Sequence, residues 1–227
     1  APRLTQWGIS SVAVLISIVV WYALATLKVN LGIISFVNVP SPLEVAKALI
    51  EFSQLPNALS HLKSSILRVL AGFVLAAVIG IVLGLIIGRS KAIASLLMPP
   101  LELLRPIPAV SWIPLAILMF PSSEISMIFI TFLGALFPIL LNTIHGVEAV
   151  DPRLIASARS LGGKRLAIFT EVVIPSATPS IITGLAIGMG TCWFCLVTAE
   201  MISGQLGIGY FTWESFTLQN YADIVVG

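Results

Sequence analysis

Two cysteines and two histidines are the side chains of this sequence best suited to a metal or redox centre. Cys192 and Cys195 form a CxxC pattern, which occurs in redox sites and as half of many zinc sites. Both cysteines lie inside an apolar run, and His61 and His145 are far from them in the sequence. Because no second cysteine pair completes a four-ligand site, the pattern indicates packing residues rather than a metal site.

Nucleotide chemistry is not indicated either. A P-loop has the pattern G-x-x-x-x-G-K-[ST], in which backbone amides and a lysine hold the phosphates. The segment Gly162-Gly163-Lys164-Arg165 lacks both the upstream glycine and the following Ser or Thr. We therefore expect this chain to bind no cofactor. Two isolated histidines also argue against a membrane enzyme, which would need a nucleophile with a base within reach.

The composition points to a lipid environment. Hydrophobic residues make up 58% of the chain and charged residues only 10%, whereas soluble domains carry about a quarter charged residues. The formal net charge of +2 is small and the basic residues are scattered, which argues against a nucleic-acid partner. The composition therefore predicts a chain that lies in a membrane.

A helix needs about 20 residues to cross a bilayer. Four uncharged runs of the sequence are close to that length. They are residues 9–27, 70–88, 125–144 and 180–199. A fifth run, 103–120, contains Pro106, Pro108 and Pro114, so we expect a kinked span inside a bundle. The first run has no cleavage pattern after it and is predicted to be a retained span. The fold class is thus an all-α membrane bundle with five spans, and the apolar residues 224–227 predict a sixth beyond them.

Basic residues predict the orientation, because Lys and Arg near span ends are retained on the cytoplasmic side. If the N-terminus is cytoplasmic, the inside segments hold most of them, namely Arg3, Arg89, Lys91, Arg105, Arg153, Arg159, Lys164 and Arg165. The outside connection holds the others: Lys28, Lys47, Lys63 and Arg68. We expect a multi-pass protein of the bacterial cytoplasmic membrane with its N-terminus in the cytoplasm.

The outside connection also predicts a surface helix over residues 43–52. Ala46, Leu49 and Ile50 recur there at helical spacing, with charged residues opposite. Such a helix suits the membrane surface or a partner subunit, or it simply supports the first two spans.

A second amphipathic helix is predicted inside the loop 150–179. Asp151 can cap the helix, Pro152 suits its first position, and Gly162 or Gly163 can end it. Its apolar face is formed by Leu154, Ile155, Ala158 and Leu161. At about 1.5 Å per residue the helix is too short to span a membrane. It could transmit force from a soluble partner to the spans, or it could be a connector that lies on the lipid headgroups.

This loop resembles the cytoplasmic signature loop of binding-protein-dependent ATP-driven importers. The family pattern is Glu-Ala-Ala, three residues, Gly, nine residues, Ile-x-Leu-Pro. Its positions are occupied here by Ala156, Ser157, Ala158, Gly162, Val172, Ile174 and Pro175. Ala156 replaces the usual Glu and Ser157 the first Ala. An ATPase contact made by that Glu would then fall to nearby basic residues.

Five other segments strengthen the resemblance, which is closest to the nitrate, sulfonate and taurine branch. They are residues 39–42, 61–73, 104–115, 138–146 and 198–201. Residues 120–124 depart from the branch because they lack the glycines often found there.

The resemblance implies a single type I transmembrane domain over residues 1–227. It also implies two permease subunits on two ATPase subunits, with ATP and Mg bound by the ATPase and the solute delivered by an extracytoplasmic binding protein. The second permease is either another copy of this chain or a different one. The expected solute is nitrate, a sulfonate such as taurine, or bicarbonate. The residues expected to couple to the ATPase are Asp151, Arg153, Ser157, Ala158, Arg159, Gly162, Lys164 and Arg165.

Glycines at four-residue spacing predict close helix packing within the membrane. Gly80, Gly84 and Gly88 form one such stripe, and Gly184 and Gly188 form another.

Candidates for a translocation path are the polar residues near the spans, namely Ser111, Trp112, Asn142, Thr191, Thr198 and Glu200. Thr191 and Thr198 could instead bond their own preceding carbonyls. Glu200 is expected at the outer interface, where it could gate the path, contact the binding protein or form a structural salt bridge. An ion-gradient-driven transporter is the alternative function, but it would need a carboxylate buried at membrane depth. The sequence predicts none, since Glu102, Glu124 and Glu148 lie near span ends.

Overall fold

The computed structural model describes residues 2–203 and 206–227, with side chains from residue 10 onward, and this part of the chain is helical. Its α-helices are α1 Pro2–Thr26, α2 Pro42–Gln54, α3 Ala58–Arg89, α4 Lys91–Leu104, α5 Ile113–Met119, α6 Ser123–Glu148, α7 Pro152–Ser160, α8 Arg165–Ile168, α9 Ile174–Ser203, α10 Ile208–Thr217 and α11 Tyr221–Val226. A 3-10 turn, Ala109–Trp112, precedes α5, and a π-helical segment, Phe169–Val173, precedes α9. The chain forms two compact units, residues 2–62 with 206–227 and residues 63–203.

Three helices are long and apolar enough to cross a membrane: α3, α6 and the continuous helical segment Arg165–Ser203. The pair α4 and α5 would add a fourth span if it crosses as one unit, although it is bent by 79°. The apolar part of α1, Ser10–Thr26, is shorter. An all-helical membrane fold is confirmed, whereas the five-span count and the sixth span stay predictions.

The predicted kinked span 103–120 differs from the structure. Helicity begins much earlier, at Lys91, and the break lies between Leu104 and Ala109. Pro106 and Pro108 explain the break, because each lacks an amide donor and disfavours helical geometry at the residue before it. The sequence analysis missed α4 because Pro99 and Pro100 lie inside it.

In the second unit, α6 packs against α3 through glycines. A Cβ added to each glycine would meet α6 side chains within 3.1 Å, in the pairs Gly72 with Thr131, Gly80 with Ile139, Gly84 with Thr143, and Gly88 with Val147. Both numbers of each pair increase together, so α3 and α6 run parallel. The intervening segment, 90–122, must therefore return the chain to the end where α3 began, and α4 and α5 make that return.

The other side of α6 packs against α9 in the same way. A Cβ on Gly184 would lie 2.8 Å from Asn142 Cβ, and one on Gly188 would lie 2.9 Å from Ile139 Cγ1. Here the numbers of the paired residues change in opposite directions, so α9 is antiparallel to α6. Both predicted glycine stripes thus lie at interfaces with α6.

The first unit contains α2, which has a capping box at its start. The Ser41 hydroxyl accepts a bond from the Glu44 amide, and the Glu44 carboxylate accepts one from the Ser41 amide at 2.7 Å. These bonds to the charged carboxylate lower the pKa of Glu44. Leu49 and Ile50 of the predicted apolar face are exposed and Ala48 is buried, so the contact of that face with the membrane surface or a partner stays a prediction.

The contact between α3 and α6 can be tested with two glycine-to-alanine substitutions. Gly84→Ala should lower the free energy of unfolding by about 1–3 kcal/mol, because its Cβ would meet Thr143 Cβ at 2.6 Å. Gly190→Ala is the matched control: it also lies in a helix, but no atom lies within 4 Å of the added Cβ. This variant should gain up to about 1 kcal/mol from helix propensity. Denaturant titration in mixed micelles measures both, and equal effects would contradict the close approach.

Candidate functional site

The loop between α6 and α9 forms a sharply bounded helix, α7. Asp151 caps its start, since the Asp151 carboxylate accepts a bond from the Arg153 amide at 2.8 Å. Pro152 occupies the first helical position, where its missing donor costs nothing. These residues fix where α7 begins.

The end of α7 is fixed by backbone bonds. Gly162 has φ of +82°, and its amide donates to the Arg159 carbonyl at 2.9 Å. The Gly163 amide donates to the Ala158 carbonyl at 3.0 Å. This pair of bonds is the Schellman motif, which favours glycine at the left-handed position.

The apolar side of α7 is divided between two directions, contrary to the single face that the sequence predicts. Ile155 packs on a buried cluster that includes Val147 of α6 and Ala177 of α9. Leu154 and Leu161 point away, with 51% and 89% of their surface exposed. The helix is therefore anchored to two long helices on one side and presents apolar side chains on the other.

Basic residues surround the exposed side of α7. Arg153, Arg159, Lys164 and Arg165 are all exposed. Within residues 2–203 and 206–227, none of these four makes an ion pair. Ser157 is also exposed, whereas Ala158 is half-buried. The surface of this helix is thus both cationic and apolar.

A π-helical segment, Phe169–Val173, joins the α7 region to α9. Phe169 packs on the same buried cluster as Ile155. Pro175 follows the segment and cannot donate to the carbonyl of Glu171, which favours a locally altered bonding pattern.

At the opposite end of the second unit, Glu200 is fully buried and paired. Arg68 Nη1 donates to Glu200 Oε1 at 2.7 Å, and the Ser65 hydroxyl donates to the same carboxylate at 2.8 Å. Arg68 also donates to Glu124 from Nε at 2.8 Å and from Nη2. Glu200 is thus a buried carboxylate held in an ion pair, so the salt-bridge alternative is the one observed.

The partners of Glu200 were missed by sequence reasoning. Ser65 and Arg68 are one turn apart on α3, and both are almost completely buried. The sequence did contain a signal for this contact. Arg68 comes directly before an apolar run, and an arginine in that position must face a polar partner inside the bundle.

Two of the predicted path residues line one pocket of about 450 Å³. Trp112 and Thr191 both contribute to its wall, together with Arg105 and apolar residues of α4, α6 and α9. The structure does not place Ser111, Asn142, Thr198 or Glu200 in this wall. Ser111 is exposed, and the Thr198 hydroxyl donates to the carbonyl of Phe194 in its own helix.

Thr191 also links α9 to α6. Pro138 has no amide proton, so the carbonyl of Gly134 lacks its usual helical donor. The Thr191 hydroxyl donates to that carbonyl at 2.8 Å. Asn142 donates from Nδ2 to the Pro138 carbonyl at 2.8 Å, so both polar side chains contact the backbone around one proline.

The cysteine pair packs between helices. Both residues are buried, and Cys192 Sγ lies 3.7 Å from the Val69 carbonyl oxygen. In the part of the chain that the structure describes, no cluster of three or more His, Cys, Asp or Glu residues could hold a metal ion.

Long apolar helices packed through glycines, with a pocket between them, define a multi-pass helical membrane protein. The chain belongs to the family of binding-protein-dependent transport system inner membrane components, whose profile matches residues 80–227. The resemblance to importer permeases is thus confirmed, and the chain is a transport component rather than an enzyme.

Similar proteins carry permease names. A protein of Methanocaldococcus jannaschii, named provisionally as an ABC transporter permease, is 47% identical over 71% of this chain and 61% of its own length. The nitrate import permease protein of Synechocystis is 33% identical over 95% of this chain and 79% of its own. The taurine transport system permease protein of Escherichia coli is 33% identical over 92% and 75%. The chain thus spans about three fifths to four fifths of these relatives.

The buried ion pair predicts unequal effects of two charge-neutralising substitutions. Glu200→Gln should lower the free energy of unfolding by about 3 kcal/mol, because it leaves Arg68 buried without its closest charged partner on α9. Glu124→Gln should cost about 1 kcal/mol or less, since 54% of the Glu124 side chain is exposed. Denaturant titration in mixed micelles gives both values.

A double-mutant cycle provides the control. In Arg68→Gln with Glu200→Gln, no buried charge is left alone between these two positions, so the loss should be smaller than the sum of the single losses by about 1 kcal/mol or more. Additive losses would show that the pair contributes no coupling.

Proposed function

We propose that this chain is the permease subunit of an ATP-driven importer, in which α7 docks on a partner ATPase and transmits its movements to the spans. ATP and Mg are bound by that partner, and an extracytoplasmic binding protein delivers the solute. A second permease, most simply another copy of this chain, completes a type I transmembrane assembly. The N-terminus is cytoplasmic.

The observation that carries this proposal is the two-sided environment of α7. Its exposed side presents Leu154 and Leu161 among four unpaired basic residues, which suits a partner groove with apolar and acidic groups. Since burial of apolar surface stabilises a complex and charge complementarity orients it, both features favour a protein partner.

The buried side of α7 supplies the route by which force reaches the membrane helices. Ile155 shares one cluster with Val147 at the end of α6 and Val173 at the end of the π-helical segment. Close-packed side chains transmit displacement rather than absorb it. The π-helical segment, Phe169–Val173, lies directly on this route, and such segments are frequent at functional positions.

The relatives suggest the class of solute. Their names refer to nitrate, taurine and bicarbonate, and each of these carries negatively charged oxygens or a sulfonate group. We propose a small oxyanion of this kind as the solute. The pocket lined by Trp112 and Thr191 is the proposed part of its path in this chain.

Charge reversal at α7 tests the coupling role. In the complete importer reconstituted in liposomes, Arg159→Glu should reduce ATP-driven solute uptake about tenfold or more, because it opposes the acidic partner surface. The measurement is uptake of labelled nitrate, taurine or bicarbonate, with ATP hydrolysis measured in parallel. Lys47→Glu, an exposed reversal on α2, is the matched control and should leave uptake unchanged.

Three results would contradict the proposal. The first is equal uptake by Arg159→Glu and the unmodified protein. The second is an equal loss in Lys47→Glu. The third is uptake by the purified chain alone when an ion gradient replaces ATP, which would support the ion-gradient-driven alternative.

A further inference from the structure

We infer that Arg105 is the residue of this permease that attracts and selects anionic solutes in the translocation pocket. The inference rests on the proposed transport function and adds a specificity-determining residue to it. Sequence analysis assigned Arg105 to a cytoplasmic segment, where it counted only as an orientation signal. The structure instead places Arg105 among the residues that line the 450 Å³ pocket.

The depth of this pocket follows from the helices that form it. On α6 its wall runs from Phe129 to Phe137, and on α9 it includes Thr191 and Cys195. These positions lie well inside two helices that are long and apolar enough to span a membrane. Arg105 follows the last residue of α4, so about 20 Å of helix separates it from Lys91 at the start of α4.

Arg105 is exposed on the single chain, so its guanidinium is open to a partner, and a cation at membrane depth with neither water nor a polar partner is costly. Arg105 makes no ion pair within the described part of the chain. Glu102 is one turn away on α4 but does not line the pocket. The remaining wall is apolar apart from Thr191, the indole of Trp112 and the Cys195 thiol.

A small oxyanion fits these requirements. The guanidinium offers several N–H donors in a plane that matches the oxygens of nitrate, sulfonate or carbonate groups. A single cation in an otherwise apolar wall attracts an anion without holding it at several points, which suits passage rather than storage. A neutral or cationic solute of the same size would gain nothing from Arg105.

Trp112 provides a reporter in the same pocket. The test uses the full chain, with its ATPase subunits, in dodecyl maltoside micelles that contain no phosphate. The other tryptophans are replaced by phenylalanine, namely Trp7, Trp21, Trp193 and Trp213. Fluorescence quenching of Trp112 is then measured with iodide, an anion, and with acrylamide, which is neutral.

Arg105→Gln should lower the iodide quenching constant by about three- to tenfold, because it removes the positive potential that concentrates anions in the pocket. Acrylamide quenching should not change, which shows that the pocket is intact. The iodide quenching constant of Arg105→Lys should lie between those of the unmodified protein and Arg105→Gln. Lys91→Gln removes the same charge from the other end of α4 and should leave both constants unchanged.

The source of the oxyanion is tested by competition. Ethanesulfonate should protect Trp112 from iodide in the presence of Arg105 and not in Arg105→Gln. If phosphatidylglycerol in nanodiscs protects Trp112 and ethanesulfonate does not, the pocket binds a lipid headgroup and the assignment to a solute is overturned. An unchanged iodide constant in Arg105→Gln, or an equal fall in Lys91→Gln, would also overturn it.

Failure of this inference can be separated from failure of the proposed function. Uptake of labelled nitrate or taurine by the complete importer should fall about tenfold in Arg105→Gln and not in Lys91→Gln. ATP-driven uptake that survives in Arg105→Gln, with an unchanged iodide constant, rejects Arg105 and leaves the permease function standing. Absence of ATP-driven uptake in the unmodified importer rejects the permease function, while the quenching result still decides whether Arg105 attracts anions.

Discussion

The close approach of α6 to α3 on one side and α9 on the other is the constraint on which the second unit depends. Lipid tails are as apolar as the helix surfaces, so burial of apolar area supplies little drive for helices to associate in a membrane. Contact has to come from shape, and glycines on α3 and α9 let the neighbouring side chains of α6 reach the backbone. The pocket, the buried ion pair and the α7 anchor all use the geometry that this contact sets.

The two ends of the α6 bundle are held by different physical means. At one end, Arg68 joins α3 to Glu124 and Glu200 through charged hydrogen bonds. At the other, an apolar cluster joins α6 and α9 to α7. The charged hydrogen bonds depend on distance and direction, whereas the apolar contacts have no preferred direction. A partner that pushes on α7 would therefore move the helices about the end that Arg68 holds.

Helices and caps could be predicted because they depend on neighbouring residues. Contacts between residues far apart in the sequence could not. Asp151, Pro152 and Gly162 act on neighbouring backbone groups, so the sequence was sufficient for α7. The partner of Glu200 is 132 residues away on another helix, and only packing reveals it. Helix α4 was missed because two internal prolines outweighed its apolar pattern, so Arg105, which follows it, was counted only as an orientation signal. Leu154 and Ile155 diverge because a nine-residue helix is anchored through a narrow strip of its surface.

The hydrogen bonds that end α7 do not involve the charged side chains beside it. The bonds of Gly162 and Gly163 use main-chain donors and carbonyls only, so the cations beside them carry no structural duty. Those cations can change while the helix keeps its form, and under the proposed docking role such changes would match a different ATPase subunit. The charge of this surface can thus vary independently of the backbone bonds that end the helix.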